Sequence, residues 1–392
     1  MRRIYLPLLF VLNAFMVTAD NFSEAMNTIV SNNLSVKYNE ASDAAKLEEM
    51  RGENILEAPE VEFEHVWGAE NIGRKWNLSV SQSFDWPGVY KARKESIRTS
   101  GVAMQYLRES AMLDVRAEVK TALIDLIYTR QKIDAISGLS ESMGKLVEIY
   151  RTAVEKRELT RLDYNKAVLE KIDMDRELKS LKGELAVLVS QLEALNGGKS
   201  VSSIIEKLGD DYPGYTLSDL VPNTDMVKER DPQYAAAMAS IDANKSLVKV
   251  EKLNRFPGFS LGYVHEYEMG EKFNGFSIGI TLPFLTGKSK LKAARLQTEA
   301  LNYEADMQLT QRVAELNGTY RQAVALHDLI EQSEPVIMDG ANFELLKKAL
   351  DGGQISLLTY LQEVHYFRAA QSDFLDTVYQ YQLALAKLSR YH

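Results

Sequence analysis

The stretch from Pro257 to Pro283, PGFSLGYVHEYEMGEKFNGFSIGITLP, decides the fold. Within it Phe259, Leu261, Tyr263, His265 and Tyr267 interleave with Ser260, Gly262, Glu266 and Glu268, while Phe276, Ile278, Ile280 and Leu282 alternate with Ser277, Gly279 and Thr281. Such period-two alternation gives strands with one large apolar face and one small polar face. A loop from Met269 to Asn274 makes the pair a hairpin over 257–283. A second hairpin, over 59–84, sets Val61, Phe63, His65 and Trp67 against Glu62 and Glu64. After a loop from Gly68 to Arg74, it sets Trp76, Leu78, Val80, Gln82 and Phe84 against Asn77, Ser79, Ser81 and Ser83. In a soluble sheet the apolar face would cover a core. Aromatics on one face with small and acidic residues on the other is the pattern of a transmembrane barrel with a wet lumen. Trp76, Leu78, Val80, Phe84, Phe276, Ile278, Ile280 and Leu282 are then the expected lipid-facing residues. Four strands cannot close a barrel, since the smallest have about 8. Open edges in lipid leave backbone groups unpaired, so several copies must join.

Outward from the hairpins the sequence turns helical. No proline lies between Pro87 and Pro213, and Leu, Ala, Glu, Lys, Arg and Gln dominate up to Gly197-Gly198, which predicts a long helix over about 88–157 and a second over about 160–195. Leu178, Leu181, Leu185, Leu188, Leu192 and Leu195 form an apolar seam of coiled-coil spacing. At the start, Met1-Arg2-Arg3, an apolar run from Ile4 to Val17 and the small residues to Ala19 read as a signal peptide over 1–19. No other segment approaches the roughly 18 apolar residues of a membrane helix. The chain holds no cysteine, which excludes disulfides and thiolate chemistry. Its net charge of -9, with both signs interspersed, gives no basis for a nucleic-acid partner.

The chain repeats itself. Phe63-Glu64-His65 answers Tyr263-Val264-His265, Trp86-Pro87-Gly88 answers Leu285-Thr286-Gly287, and AVEKRELTRLDY from Ala153 answers ALDGGQISLLTY from Ala349. The expected organisation is a first repeat over 20–196, a connector over 197–228 and a second repeat over 229–392, the latter with helices over about 287–352 and 355–391. On this plan, and on the Gly353-Gln354-Ile355-Ser356-Leu357-Leu358 turn, the chain resembles the TolC-like outer-membrane efflux proteins. The resemblance implies a homotrimer of mixed, mainly α class, whose hairpins form one 12-stranded barrel continuous with a helical tunnel. It also implies a periplasmic adaptor, an inner-membrane pump and outer-membrane lipid as partners, and no cofactor. The Ser83-Phe84-Asp85-Trp86-Pro87-Gly88 junction is similar to that of the heavy-metal efflux branch, so metal cations are the first expectation for cargo, with drugs as another. The exit duct of a type I protein secretion system and a soluble periplasmic coiled-coil scaffold are the alternative readings.

The resemblance points to two turns, Lys156-Arg157-Glu158-Leu159-Thr160 and Gly352-Gly353-Gln354-Ile355-Ser356, as the tips that meet the adaptor. Ordinary helix-hairpin turns account for them too. Arg157 stands where the family has glycine, and the family's acidic entrance ring falls on Thr359 and Gln362, leaving Asp163 and Glu363 as nearby candidate entrance acids. Gly138 and Pro335, at matching places in the repeats, read either as a hinge or as structural kinks. Lys91, Arg93 and Lys94, and again Lys288, Lys290, Lys292 and Arg295, follow the hairpins as lipid-headgroup contacts or as a solvated face. His65 and His265 project from the aromatic face, which favours interface residues over metal ligands, and no metal site is expected. His327 and His365 read as isolated. Gly198-Lys199-Ser200 lacks the rest of a phosphate-binding loop, and no spacing supports nucleophilic or acid–base catalysis, so no enzyme is expected.

Overall fold

The computed structural model describes residues 11–68, 74–283, 288–337 and 341–391. In order they form α1 (Val11–Asn32), α2 (Leu34–Gly52), β1 (Glu60–Trp67), β2 (Arg74–Phe84), α3 (Pro87–Glu155), α4 (Arg161–Leu195), α5 (Ser202–Leu208), α6 (Thr224–Arg230), α7 (Pro232–Leu253), β3 (Gly258–Glu268), β4 (Glu271–Thr281), α8 (Lys288–Ile337), α9 (Ala341–Asp351) and α10 (Leu357–Leu388). The molecule is mainly helical with one antiparallel sheet. Residues 1–10 of the expected signal peptide lie outside the described part, and α1 runs unbroken through Ala19 and Asp20. Among the described residues no helix is long and apolar enough to cross a membrane.

The chain divides into two compact units. The sheet-bearing unit comprises Tyr38–Ala111 and Thr224–Arg312. Its four strands lie in the order β1-β2-β3-β4, every neighbour antiparallel. The second hairpin is tighter than the sequence suggests. Met269 (φ 51°) and Gly270 (φ 93°) alone make the turn, and Glu271 to Asn274, expected in the loop, pair with Glu268 to His265. Two residues at positive φ match the right-handed twist of the strands. Methionine in the first position hides that signal. The first loop falls mostly on residues 69–73, outside the described part. In the same unit Asp231 caps α7 by accepting from the Gln233 N–H at 2.8 Å, with Pro232 opening the helix. Its buried carboxylate also meets Arg312 of α8 at 3.3 Å.

The helical unit comprises the chain up to Lys37, Met112–Asn223 and Val313 onward. One core gathers Phe22 and Ile29 of α1, Val119, Leu123, Ile124, Leu126 and Ile127 of α3, Leu188 and Leu192 of α4, and Leu208 of α5. A second joins Ile136, Met143 and Tyr150 of α3 to Met174 and Leu181 of α4 and Leu357, Leu361 and Val364 of α10. The leucine seam of α4 feeds both. α4 ends where Asn196 is buried, accepting from Asn32 Nδ2 at 2.9 Å. Gly197 follows at φ 68°, where a Cβ would stand 2.6 Å from the Asn32 carbonyl oxygen, so only glycine fits.

The helix expected over about 287–352 is described as α8 and α9, on either side of residues 338–340. Pro335 lies inside α8, where it has no N–H to donate and crowds the carbonyl one turn back. Residues 338–340 lie outside the described part. Gly138, by contrast, sits inside an unbroken α3, with its carbonyl accepting from Ser142 Oγ at 2.9 Å.

Candidate functional site: a two-faced sheet and two matched turns

Strand register sorts the sheet into two chemistries. One face carries Val61, Phe63, His65 and Trp67 of β1, Trp76, Leu78, Val80 and Phe84 of β2, Phe259, Leu261, Tyr263, His265 and Tyr267 of β3, and Phe276, Ile278 and Ile280 of β4, joined by Gln82 and, towards the hairpin turns, by Arg74, Lys272 and Asn274. Among the described residues much of it is uncovered: Phe276 is 88% exposed, Ile278 75% and Phe63 66%. Leu282 lies just past β4 and is also exposed. Aromatic rings link the strands, Trp76 lying 5.1 Å from His265 and stacking on Tyr267 at 6.0 Å. An uncovered apolar face of this extent marks a surface made for lipid or a partner.

The opposite face carries Glu60, Glu62 and Glu64, then Lys75, Asn77, Ser79, Ser81 and Ser83, then Ser260, Gly262, Glu266 and Glu268, and finally Glu271, Gly275, Ser277, Gly279 and Thr281. Val66, Val264 and Phe273 interrupt it towards the hairpin turns. Lys75 pairs with Glu266 and Glu268, so the face is acidic on balance. It is also crowded. A Cβ on Gly262 would lie 2.5 Å from Ser277 Oγ and 3.0 Å from the Val80 carbonyl oxygen, and one on Gly279 would strike Ser260 Oγ. At these two positions the facing serines leave no room for a Cβ, so glycine stands there.

The two turns of the helical unit share three backbone hydrogen bonds. The N–H groups of Lys156, Arg157 and Glu158 donate to the carbonyls of Thr152, Val154 and Ala153 at 3.1, 3.0 and 2.9 Å. Those of Gly352, Gly353 and Gln354 donate to Lys348, Leu350 and Ala349 at 2.9, 3.0 and 2.9 Å. Arg157 (φ 65°) and Gly353 (φ 68°) share the left-handed conformation that reverses the chain. Arginine thus takes a glycine's backbone. Thr160 then caps α4 by accepting from the Asp163 N–H, and Ser356 caps α10 by accepting from the Thr359 N–H. Leu159 and Ile355 are half-buried, while Lys156 to Glu158, Thr160, Gly352 to Gln354 and Ser356 are exposed. Asp163 is held locally, its carboxylate accepting from Thr160 Oγ1 at 2.6 Å, whereas Glu363 is exposed.

Two polar clusters of the helical unit escape sequence inspection. Arg368 of α10, its side chain only 12% exposed, faces Glu170, Asp173 and Glu177 of α4, with Asp173 at 3.0 Å. Its hydrogen bond holds the Asp173 carboxyl below the usual carboxylate range. In the other, Tyr128 stacks on Tyr379 at 4.2 Å, Tyr379 donates to Asp125 at 2.8 Å, and Tyr128 and Lys132 converge on Asp376. Burial pushes the Asp125 carboxyl up, a trend that the Tyr379 hydrogen bond opposes. The signals were there: acids at i, i+3 and i+7 on α4, and Asp125, Tyr128 and Lys132 along one face of α3. His327 and His365 are not isolated either. His327, Asp328 and Glu331 have potential ligand atoms within 4.8 Å of one another, and His365 Nδ1 lies 3.4 Å from Arg368.

No family profile matches the chain. Its fold nevertheless has clear counterparts among solved structures. The outer-membrane channel OprN superposes with a TM-score of 0.79 at 12% identity, over 96% of this chain and 91% of that one. The Campylobacter jejuni CmeC outer-membrane channel gives 0.77 at 15% identity, over 95% and 85%. CusC gives 0.74 at 14% identity, over 94% and 91%. The chain therefore has the fold of the TolC-like outer-membrane channels, as the sequence resemblance implied. In sequence it is similar to the cobalt-zinc-cadmium resistance protein CzcC of Cupriavidus metallidurans, at 24% identity over 174 residues. That match spans 43% of this chain and 41% of the relative.

Proposed function

We propose that the protein is a non-enzymatic export channel of the outer membrane, three copies of which close their sheets into one 12-stranded barrel. The two-faced sheet carries the reading. Its uncovered apolar face suits lipid, its crowded acidic face suits a wet lumen, and β1 and β4 each have a single strand neighbour. Unpaired strand edges cost several kcal/mol per backbone group in hydrocarbon, so pairing β1 of one copy with β4 of the next removes the penalty. The helical part stands in the periplasm. There the two matched turns form the surface that meets an adaptor protein and, through it, an inner-membrane pump. Asp163 and Glu363 stand near the entrance, and the helices bend about Gly138 and Pro335 when it opens. The acidic lumen suits small cationic solutes, and likeness to a cobalt-zinc-cadmium resistance protein supports metal cations among the cargo. Cell fractionation with planar-bilayer conductance tests the proposal. An outer-membrane protein giving cation-selective trimeric pores is expected, and a soluble, non-conducting protein would overturn it.

A further inference from the structure

The apolar face of the sheet does not end smoothly. Where β2 gives way to α3, a groove of about 630 Å³ opens between Phe84, Trp86, Pro87 and Tyr90 on one side and Phe259, Leu261 and Ile278 on the other, with Asp85 at its margin. Its walls pack on one another. Trp86 stacks on Phe256 at 5.5 Å and leans on Phe259 at 6.1 Å, and the Asp85 N–H donates to Tyr90 Oη at 3.0 Å. Gly88 makes room for this arrangement, since a Cβ there would press the Trp86 ring at 3.3 Å.

Charge surrounds the groove on one side. Asp85, its one carboxylate, is neutralised by Arg93 at 2.7 Å. Lys91 and Lys94 remain exposed on the first turns of α3. Lys94 stands four residues after Tyr90, so it shares that residue's helix face and lies one turn beyond the groove. Lys288, Lys290 and Lys292, exposed at the start of α8, follow β4, whose Ile278 lines the groove. An apolar slot, a Trp–Tyr pair at its mouth and unpaired cations beyond it match, in order, the acyl chain, interface and headgroup of a phospholipid.

We infer that this groove binds an anionic glycerophospholipid, its acyl chain along Phe84, Phe259 and Ile278 and its phosphate beside Lys91 and Lys94. The inference rests on the membrane orientation proposed above. The lipid would seat each protomer at a fixed depth and seal the junction between barrel wall and helices.

Trp86 itself reports on occupancy. The full chain, with Trp67→Phe and Trp76→Phe leaving Trp86 as the sole tryptophan, is reconstituted in phosphatidylcholine vesicles doped with dibrominated phosphatidylglycerol or, at the same mole fraction, dibrominated phosphatidylcholine. Phosphatidylglycerol should quench Trp86 several-fold more strongly. That preference should fall by about fivefold for each of Lys91→Gln and Lys94→Gln, the worth of one lysine at an anionic lipid surface, and should weaken in high salt. Equal quenching by the two lipids overturns the inference while leaving the barrel in place. Absence of quenching by either overturns the membrane orientation as well.

Discussion

Replacing Gly353 separates the shape of the turn from its mere presence. Gly353 occupies φ 68°, and a Cβ there would meet nothing within 4 Å, so any penalty is backbone strain and not collision. An unbranched side chain in the left-handed region costs roughly 1–2 kcal/mol, offset by about 0.4–1 kcal/mol from the stiffer unfolded chain. Gly353→Arg should therefore cost no more than about 1.5 kcal/mol, and Arg157 holds the same conformation at φ 65° in the first repeat. Gly353→Val differs, because a β-branched residue is a genuine outlier there. Leaving the left-handed region would break the hydrogen bonds from the Gly353 and Gln354 N–H groups to Leu350 and Ala349, worth about 1 kcal/mol each. The loss stays local, since Leu357 and Leu361 anchor α10 in the core beyond the turn. The assays are thermal unfolding by circular dichroism and growth under metal or drug challenge in a strain carrying only the variant channel. Gly353→Val should keep its helical signal and conductance yet lose adaptor crosslinking and export, while Gly353→Arg exports normally. Normal export by Gly353→Val would refute the turn's role. Equal damage from both variants would refute the conformational argument.

Asp125 titrates above its ordinary value, so its contribution to stability is full below the usual carboxylate pKa and is lost as pH rises through the elevated one. Asp125→Asn should therefore stabilise the protein at pH 7, and the gain in Tm should shrink towards pH 4. Arg368→Gln should destabilise by about 1–3 kcal/mol, discounted from a fully buried pair because Asp173 is partly exposed. Asp173 titrates low, so the stability it draws from Arg368 is present above the usual carboxylate pKa. Urea unfolding across pH should show the variant's penalty fading as pH falls through that depressed value. Thr160→Ala and Ser356→Ala each remove an N-cap and should cost about 1 kcal/mol apiece in the same measurement.

The sheet was legible because its chemistry alternates over most of its length: a one-residue slip would carry Glu62 onto the aromatic face and Phe63 onto the polar one, so register follows from sequence. The long helices were legible for the opposite reason, the absence of proline and glycine. What stayed hidden depends on geometry that no local pattern carries. The tight Met269-Gly270 turn lacks the asparagine or aspartate that advertises such a hairpin. Arg368 looks like any surface arginine until α4 brings three carboxylates to it.

The matched turns show how the repeat constrains substitution. Arg157 and Gly353 differ as much as two residues can, yet each closes its helix with the same three backbone hydrogen bonds. What the two copies share is a backbone conformation, and the copies satisfy it differently: glycine without strain, arginine with it. If the turns served only to reverse the chain, nothing would hold arginine against the less strained glycine. Arg157→Gly is thus the complementary test to Gly353→Val. It should leave stability unchanged or raise it by about 1 kcal/mol, and if Arg157 contacts the adaptor, export should fall while the turn keeps its shape. Unimpaired export would assign the first turn a purely structural role and leave adaptor contact to the second.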